Sequence, residues 1–272
     1  MQLAGREVEM ASRLVRHPVD EEESYFISMT DLMVGLLFIF IIMLMVFALQ
    51  YREAERKNRE AEQVIKKTTE RLVDADRVRD EILEHLQKYL SEHGLKAEIV
   101  KDQGVLRLGE RILFDSGSPD TTNDKAIDIL AQALATVLPC YTAISSSSPP
   151  TDCPPKRAVI DSIFIEGHTD IDVLTPRPGM RDNLDLSAIR AANTFRRLVT
   201  KRPDLLDFKN TREFAILSVS GYGEYRPAAP GEPTQENKAK NRRIDLRILM
   251  TTPRAEDAAR FEREINEELR NK

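Results

Sequence analysis

Val159-Ile160-Asp161-Ser162-Ile163-Phe164-Ile165-Glu166-Gly167-His168-Thr169-Asp170, followed after a Pro-containing loop by Asn183-Leu184-Asp185-Leu186-Ser187-Ala188-Ile189-Arg190-Ala191, is the stretch on which the fold turns. From Val159 to Glu166, Ile160, Ser162, Phe164 and Glu166 alternate against Ile163 and Ile165, the period of two expected of a strand. Gly167 to Asp170 then leave that strand for a loop. Leu186–Thr200 has helical apolar spacing, with Ser187 as its expected start. A strand that hands over to a helix through a polar loop is the repeating unit of α/β architecture.

The flanking sequence repeats the alternation. Ala97–Val100 and Val105–Leu108 are expected as short strands, and Arg111–Phe114 leads into the turn Asp115-Ser116-Gly117-Ser118-Pro119. Asn123–Leu138 places Ile127, Leu130, Leu134 and Val137 on one helical face. Phe214–Tyr222 and Ile244–Met250 are two further strands. This order implies an α/β sandwich, helices on a mixed sheet, over residues 96–252, with a charged helical tail at 253–272. Cys140 and Cys153 flank a turn-prone tract rich in Ser and Pro, so they are expected to meet as a disulfide in an oxidising compartment. Two unrelated free thiols are the alternative. With no His or further Cys nearby, no zinc site is expected.

Upstream lies one membrane-length apolar run. Leu32–Leu49 has no polar side chain, and Asp31 is the only charge between Tyr25 and Leu49. Roughly 20 apolar residues suffice to cross a bilayer core. Residues 1–24 are therefore expected as a mixed-charge tail and 25–50 as a transmembrane helix. An Asp at a helix centre costs roughly 2.5–3.5 kcal/mol to insert. Asp31 lies only about 9 Å inside the start, which lowers that cost. Such a residue points to an ion-carrying carboxylate facing a bundle interior; snorkelling or capping the helix start is the alternative. Residues 51–95 read as a charged helical linker, free of Gly and Pro until His93-Gly94 ends it. Ala61, Ile65, Thr68, Leu72, Ala75, Arg79, Ile82, Leu86 and Tyr89 recur at spacings of four and three, the seam of a parallel two-stranded coiled coil. A solvated single helix is the other reading.

Charged residues make up 31% of the 272, and the net charge of −5 argues against a nucleic-acid binder. The polar start and the lack of a small-residue cleavage site lead us to expect a retained anchor and not a cleaved leader. Arg52, Arg56, Lys57, Arg59, Lys66 and Lys67 follow the run, against Arg6, Arg13 and Arg16 before it. Positive-inside counting would put the large domain in the cytoplasm, whereas the cysteines favour the opposite side. No nucleophile–base pair, phosphate-binding glycine loop or metal-ligand cluster is evident in the sequence, so an enzyme is not expected and no cofactor or resident metal is called for.

Gly167-His168-Thr169-Asp170, then Asn183-x-x-Leu186-Ser187-x-x-Arg190-Ala191, then Gly221-Tyr222-Gly223, then Asn241-Arg242-Arg243 appear in that order. With Ile112-Leu113-Phe114-Asp115-Ser116-Gly117-Ser118 upstream, the chain resembles the OmpA-like peptidoglycan-binding domain across residues 97–250. The resemblance implies that Asp170 accepts from the ammonium of the stem-peptide diamino acid and that Arg190 holds its carboxylate with a planar fork. It implies that Asn183 and Leu186 line the same pocket and adds Arg242, whose alternative task is bracing the sheet. From the residues alone, mutual pairing of Asp170 and Arg190 is the competing account. His168 is expected to be a structural, hydrogen-bonded histidine. The longer loop Thr175-Pro176-Arg177-Pro178-Gly179 departs from the family pattern and bears on access to the pocket.

A short tail, one span with Asp near its start, a linker and an OmpA-like domain also resemble the layout of MotB-type stator subunits, as does Gly221-Tyr222-Gly223-Glu224-Tyr225-Arg226-Pro227. That resemblance implies an inner-membrane subunit with a cytoplasmic N-terminus and a periplasmic, wall-bound domain, which overrules the positive-inside count. It implies a homodimer inside a pentamer of multi-span MotA-like partners, with Asp31 carrying a translocated proton or sodium ion. The approach Glu21-Glu22-Glu23-Ser24-Tyr25-Phe26-Ile27-Ser28 lacks the basic-aromatic character of flagellar versions. With the long linker it is more similar to B subunits of the Zorya anti-phage defence system. A flagellar stator subunit and a passive envelope tether remain the other readings.

Overall fold

The computed structural model describes residues 19–115, 117–145, 153–154, 158–252 and 263, with side chains from residue 29 onward. Of the expected N-terminal tail, residues 1–18 fall outside these, and 19–24 already belong to helix α1 (Val19–Glu92). The expected C-terminal tail also lies outside the described residues, apart from helical Arg263. The chain divides into two units, 1–63 and 64–272.

In the first unit, every side chain of α1 from Met29 to Leu49 is exposed. A helix apolar on all sides has no polar face to offer water, and in a lipid core it needs none. Among the described residues this is the one helix long and apolar enough to cross a membrane, its most apolar 18-residue stretch having a mean hydropathy of 3.1.

The second unit is built on a five-stranded sheet. Its strands are β1 (Glu98–Val100), β2 (Val105–Gly109), β3 (Ile160–His168), β4 (Leu217–Gly221) and β5 (Arg243–Met250), in the order β1-β2-β5-β3-β4. Only β3 and β4 run parallel; the other neighbours are antiparallel. Register sorts the two faces. Leu106 pairs with Leu246, which pairs with Ile165; one residue along, Arg107 pairs with Asp245, which pairs with Glu166. The apolar row joins the core with Ile127, Leu130 and Leu134 of α3 (Asp124–Val137) and Ala191 and Leu198 of α4 (Asn183–Lys201). The charged row faces the other way, because successive strand side chains alternate.

The last turns of α1 are part of this core. Val78, Ile82, Leu83, Leu86 and Leu90 are buried in it, while Ile65 and Leu72 upstream are 65% and 44% exposed. The expected boundary at residue 96 therefore moves upstream, and Ile82 and Leu86 of the expected seam are core residues of their own chain. A coiled-coil seam and a core-facing stripe differ little in spacing, so periodicity does not separate them.

Two glycines bring α4 against the sheet. A β-carbon on Gly167 would stand 2.0 Å from the Ser187 carbonyl oxygen, and one on Gly221 would stand 2.5 Å from the Ala188 nitrogen. The start of α4 differs from expectation. Asp182 is its N-cap, accepting from the Asp185 amide at 2.9 Å. Ser187 lies inside the helix, where its hydroxyl donates to Leu184 O and accepts from Gly223 N, both at 2.8 Å. Arg111–Leu113 belong to a short helix α2 (Glu110–Leu113), and β4 begins at Leu217, three residues after the expected Phe214. Helix α5 (Gln235–Asn241), capped by Thr234, has no apolar stripe to announce it. Cys140 and Cys153 form a disulfide.

Candidate functional site

Four charged side chains from four elements join in a chain behind the end of β3. Asp170 lies two residues past β3, where Thr169 N donates to Gly223 O at 3.0 Å. Its Oδ1 accepts from the Asp172 amide at 3.0 Å, and its Oδ2 accepts from Arg242 Nη1 at 2.5 Å. Arg242, the C-cap of α5, donates through Nε to Glu110 Oε2 at 2.7 Å. Glu110 opens α2, anchored by its amide to Arg242 O at 2.9 Å. Its other oxygen lies 2.6 Å from Arg190 Nη2, on the second turn of α4. Arg190 donates through Nε to Ser118 O at 2.8 Å, and its guanidinium carbon stands 5.1 Å from the centre of the Phe114 ring.

Burial sets the electrostatics. Arg190 is 2% exposed and Glu110 4%. Desolvation pushes the Arg190 pKa down, opposed by the Glu110 carboxylate. At Arg242 burial also works against the charge, but the hydrogen bonds to Asp170 and Glu110 prevail and hold its pKa above the ordinary value. Each buried charge thus has a partner of opposite sign, as low-dielectric surroundings require.

The structure brings Asp170, Arg190 and Arg242 together, but through Glu110. Among the described residues no ion pair joins Asp170 to Arg190 directly. Asn183 acts on the backbone, donating from Nδ2 to the carbonyls of Asp170 at 3.2 Å and Asp172 at 2.9 Å. Leu186 is buried on α4. Lys238 of α5 reaches Asp172 at 2.7 Å, tying the loop after Asp170 to that helix. Glu110 was missed in the sequence, where a lone acid before an apolar run gives no local signal.

A second buried cluster lies on the charged face of the sheet. Glu166 accepts from Arg247 Nε and Nη2 at 2.8 and 2.9 Å and from the Tyr222 hydroxyl at 3.1 Å. Asp245 accepts from Arg107 at 3.0 and 3.1 Å and from Arg243 Nε at 2.9 Å. His168 corrects the expectation of a hydrogen-bonded histidine: neither ring nitrogen has a hydrogen-bond partner among the described residues. Its ring instead stacks on Tyr222, with centroids 5.2 Å apart. Burial first, then Arg243, lowers its pKa to about 3, so the ring stays neutral. Glu166, His168 and Asp245 lie close enough to share a metal ion. The chemistry disfavours one, because both carboxylates already serve guanidinium groups and a dication would join three of them in a buried space.

Asp31 lies exposed on α1 inside the apolar run of the first unit.

No protein-family model matches the chain. It is similar to motility protein B of Bacillus subtilis (strain 168), with 27% identity over 176 residues, covering 65% of this chain and 56% of that protein. The chain thus matches little more than half the length of that relative. Solved structures that overlap it include a MotB-like protein from Desulfovibrio vulgaris, with TM-score 0.46, 22% identity and coverage of 66% of this chain and 98% of that one. Another is the periplasmic domain of Helicobacter pylori MotB, with TM-score 0.38, 24% identity and coverage of 60% and 85%. A third is the cell wall anchor of the T6SS from Pseudomonas aeruginosa, with TM-score 0.41, 17% identity and coverage of 61% and 97%. These overlaps are weak; the mixed α/β sheet is established by the strand order and register given above.

Proposed function

We propose that this chain is the wall-anchored B subunit of an inner-membrane, ion-driven stator. The observation that carries the reading is the pairing of two features in one chain: an apolar helix interrupted only by Asp31, and a domain that gathers Asp170, Arg190 and Arg242 into one buried site. Asp170 offers a carboxylate to a ligand ammonium, and Arg190 offers a fork to a ligand carboxylate. Asn183 fixes the backbone that presents Asp170, and Leu186 is buried on the same helix as Arg190. The ligand class is the zwitterionic centre of a peptidoglycan diamino acid. The Cys140–Cys153 disulfide suits an oxidising compartment, which favours a periplasmic domain and a cytoplasmic N-terminus.

On this reading the domain holds the span still while Asp31 binds and releases a proton or sodium ion, and a MotA-like pentamer turns around a dimer of this chain. Exposed Ile65 and Leu72 leave the upstream part of the helical seam open to the second copy. The acidic approach Glu21-Glu22-Glu23 and the long helical linker favour a defence motor of the Zorya type. The similarity to motility protein B favours a flagellar stator subunit equally well.

Two measurements test the proposal. Isolated sacculi should retain the purified protein and lose it with Asp170→Ala or Arg190→Ala; undiminished retention in both variants overturns the site. In the native operon, Asp31→Asn should abolish activity, read as phage plating efficiency for a defence motor and as swimming for a flagellar one. Full activity in that variant would leave a passive tether.

A further inference from the structure

The charged chain Asp170–Arg242–Glu110–Arg190 has the pattern of a ligand already in place. At one end, the Arg242 cation occupies the Asp170 carboxylate, where the proposed site expects a ligand ammonium. At the other, the Glu110 carboxylate occupies Arg190, where it expects a ligand carboxylate. The two occupants are themselves joined by the 2.7 Å hydrogen bond from Arg242 to Glu110. Together they make an internal zwitterion that matches both ends of the site.

The fit is imperfect at one end. Arg190 Nη2 and Glu110 Oε1 approach to 2.6 Å without the alignment of a hydrogen bond, and neither buried atom has a hydrogen-bond partner among the described residues. A buried guanidinium donor without a linear acceptor is held below its full interaction energy. A ligand carboxylate free to align with the fork would improve on Glu110, and the displaced Glu110 would keep Arg242 as its partner. Exchange of one ion pair for another avoids the desolvation cost of exposing a bare buried charge.

We propose that Glu110 and Arg242 form an internal stand-in for the diamino-acid zwitterion, and that Glu110 sets the specificity of the site by yielding Arg190 only to a ligand carboxylate. This rests on the reading of Asp170 and Arg190 as the wall-binding pair. A diamino acid whose carboxylate is amidated has nothing with which to displace Glu110, so the stand-in rejects it. The closed state also lowers apparent affinity, since only the fraction of molecules with Glu110 displaced is competent to bind.

The test is calorimetric titration of the full-length protein in detergent with meso-diaminopimelic acid, and separately with its amidated form. Glu110→Gln keeps the shape and removes the competing charge. It should bind the free acid about tenfold tighter than the unaltered protein, as removal of a closed state predicts, and the amide should gain at least as much, because Glu110 no longer rejects it. If that variant fails to fold, judged by circular dichroism, Glu110→Asp keeps the charge but draws it back from Arg190 and should gain in the same direction. Equal or weaker binding of the free acid by the folded variant overturns the stand-in while leaving the wall-binding site intact. No binding by the unaltered protein or by any variant, to the acid or to sacculi, overturns the site itself.

Discussion

Gly167 lies so close to Ser187 that a β-carbon built on the glycine would meet the serine carbonyl oxygen at 2.0 Å. The obstacle is backbone in the second turn of α4, which has no rotamer to change. Gly167→Ala should destabilise the second unit by about 3 kcal/mol, the upper part of the usual overpacking range. Urea unfolding checks it; a loss under about 0.5 kcal/mol would mean that α4 stands off the sheet.

The burial of Val78, Ile82, Leu83, Leu86 and Leu90 makes the end of α1 indispensable to the domain. A fragment 64–252 should fold cooperatively, whereas 96–252 should not. Leu86→Ala in the longer fragment should cost about 2–5 kcal/mol, against less than about 0.5 kcal/mol for Leu72→Ala in the monomer. Thermal melts of the two fragments decide the matter.

His168 predicts an acid sensitivity. Its folded pKa of about 3 lies below the ordinary 6.5, so the unfolded chain binds the extra proton in that window. Stability is complete above the unfolded value and falls as pH drops toward the folded one, with a slope approaching about 1.4 kcal/mol per pH unit. His168→Phe keeps a ring against Tyr222 and should flatten the stability curve between pH 6.5 and 5, above the ordinary range of carboxylates. An unchanged slope would place the titration elsewhere.

Reduction of Cys140–Cys153 should lower the unfolding free energy by about 2–4 kcal/mol. Paired urea titrations with and without a reductant measure this. Cys140→Ser should behave like the reduced protein and be indifferent to the reductant.

The strands and the mixed sheet were legible because their signals are local, whereas Asp170, Arg190 and Arg242 stood out only through the resemblance of their motifs to the OmpA-like domain. Glu110 was not legible: it lies 80 residues before Arg190 and 132 before Arg242, and only folding joins them. Ser187 was read as a cap because its hydroxyl suits one, but Asp182 precedes it with the same capacity and is free of the helix interior. The stripe Ile82–Leu86 was misassigned for a different reason. Periodicity reports that a face is apolar and leaves open whose surface covers it.

The pairing of Leu106, Leu246 and Ile165 beside Arg107, Asp245 and Glu166 also bears on how the chain avoids error. A slip of β5 by one residue would turn Asp245 and Arg247 toward the helices and push Leu246 and Ile248 to the opposite face. Such a mispaired sheet would lose apolar packing and strand carboxylates and guanidinium groups in the core at once. The charged row therefore proofreads strand assembly: it makes the nearest wrong pairings far more costly than a neutral row would, and confines the sheet to a single alignment.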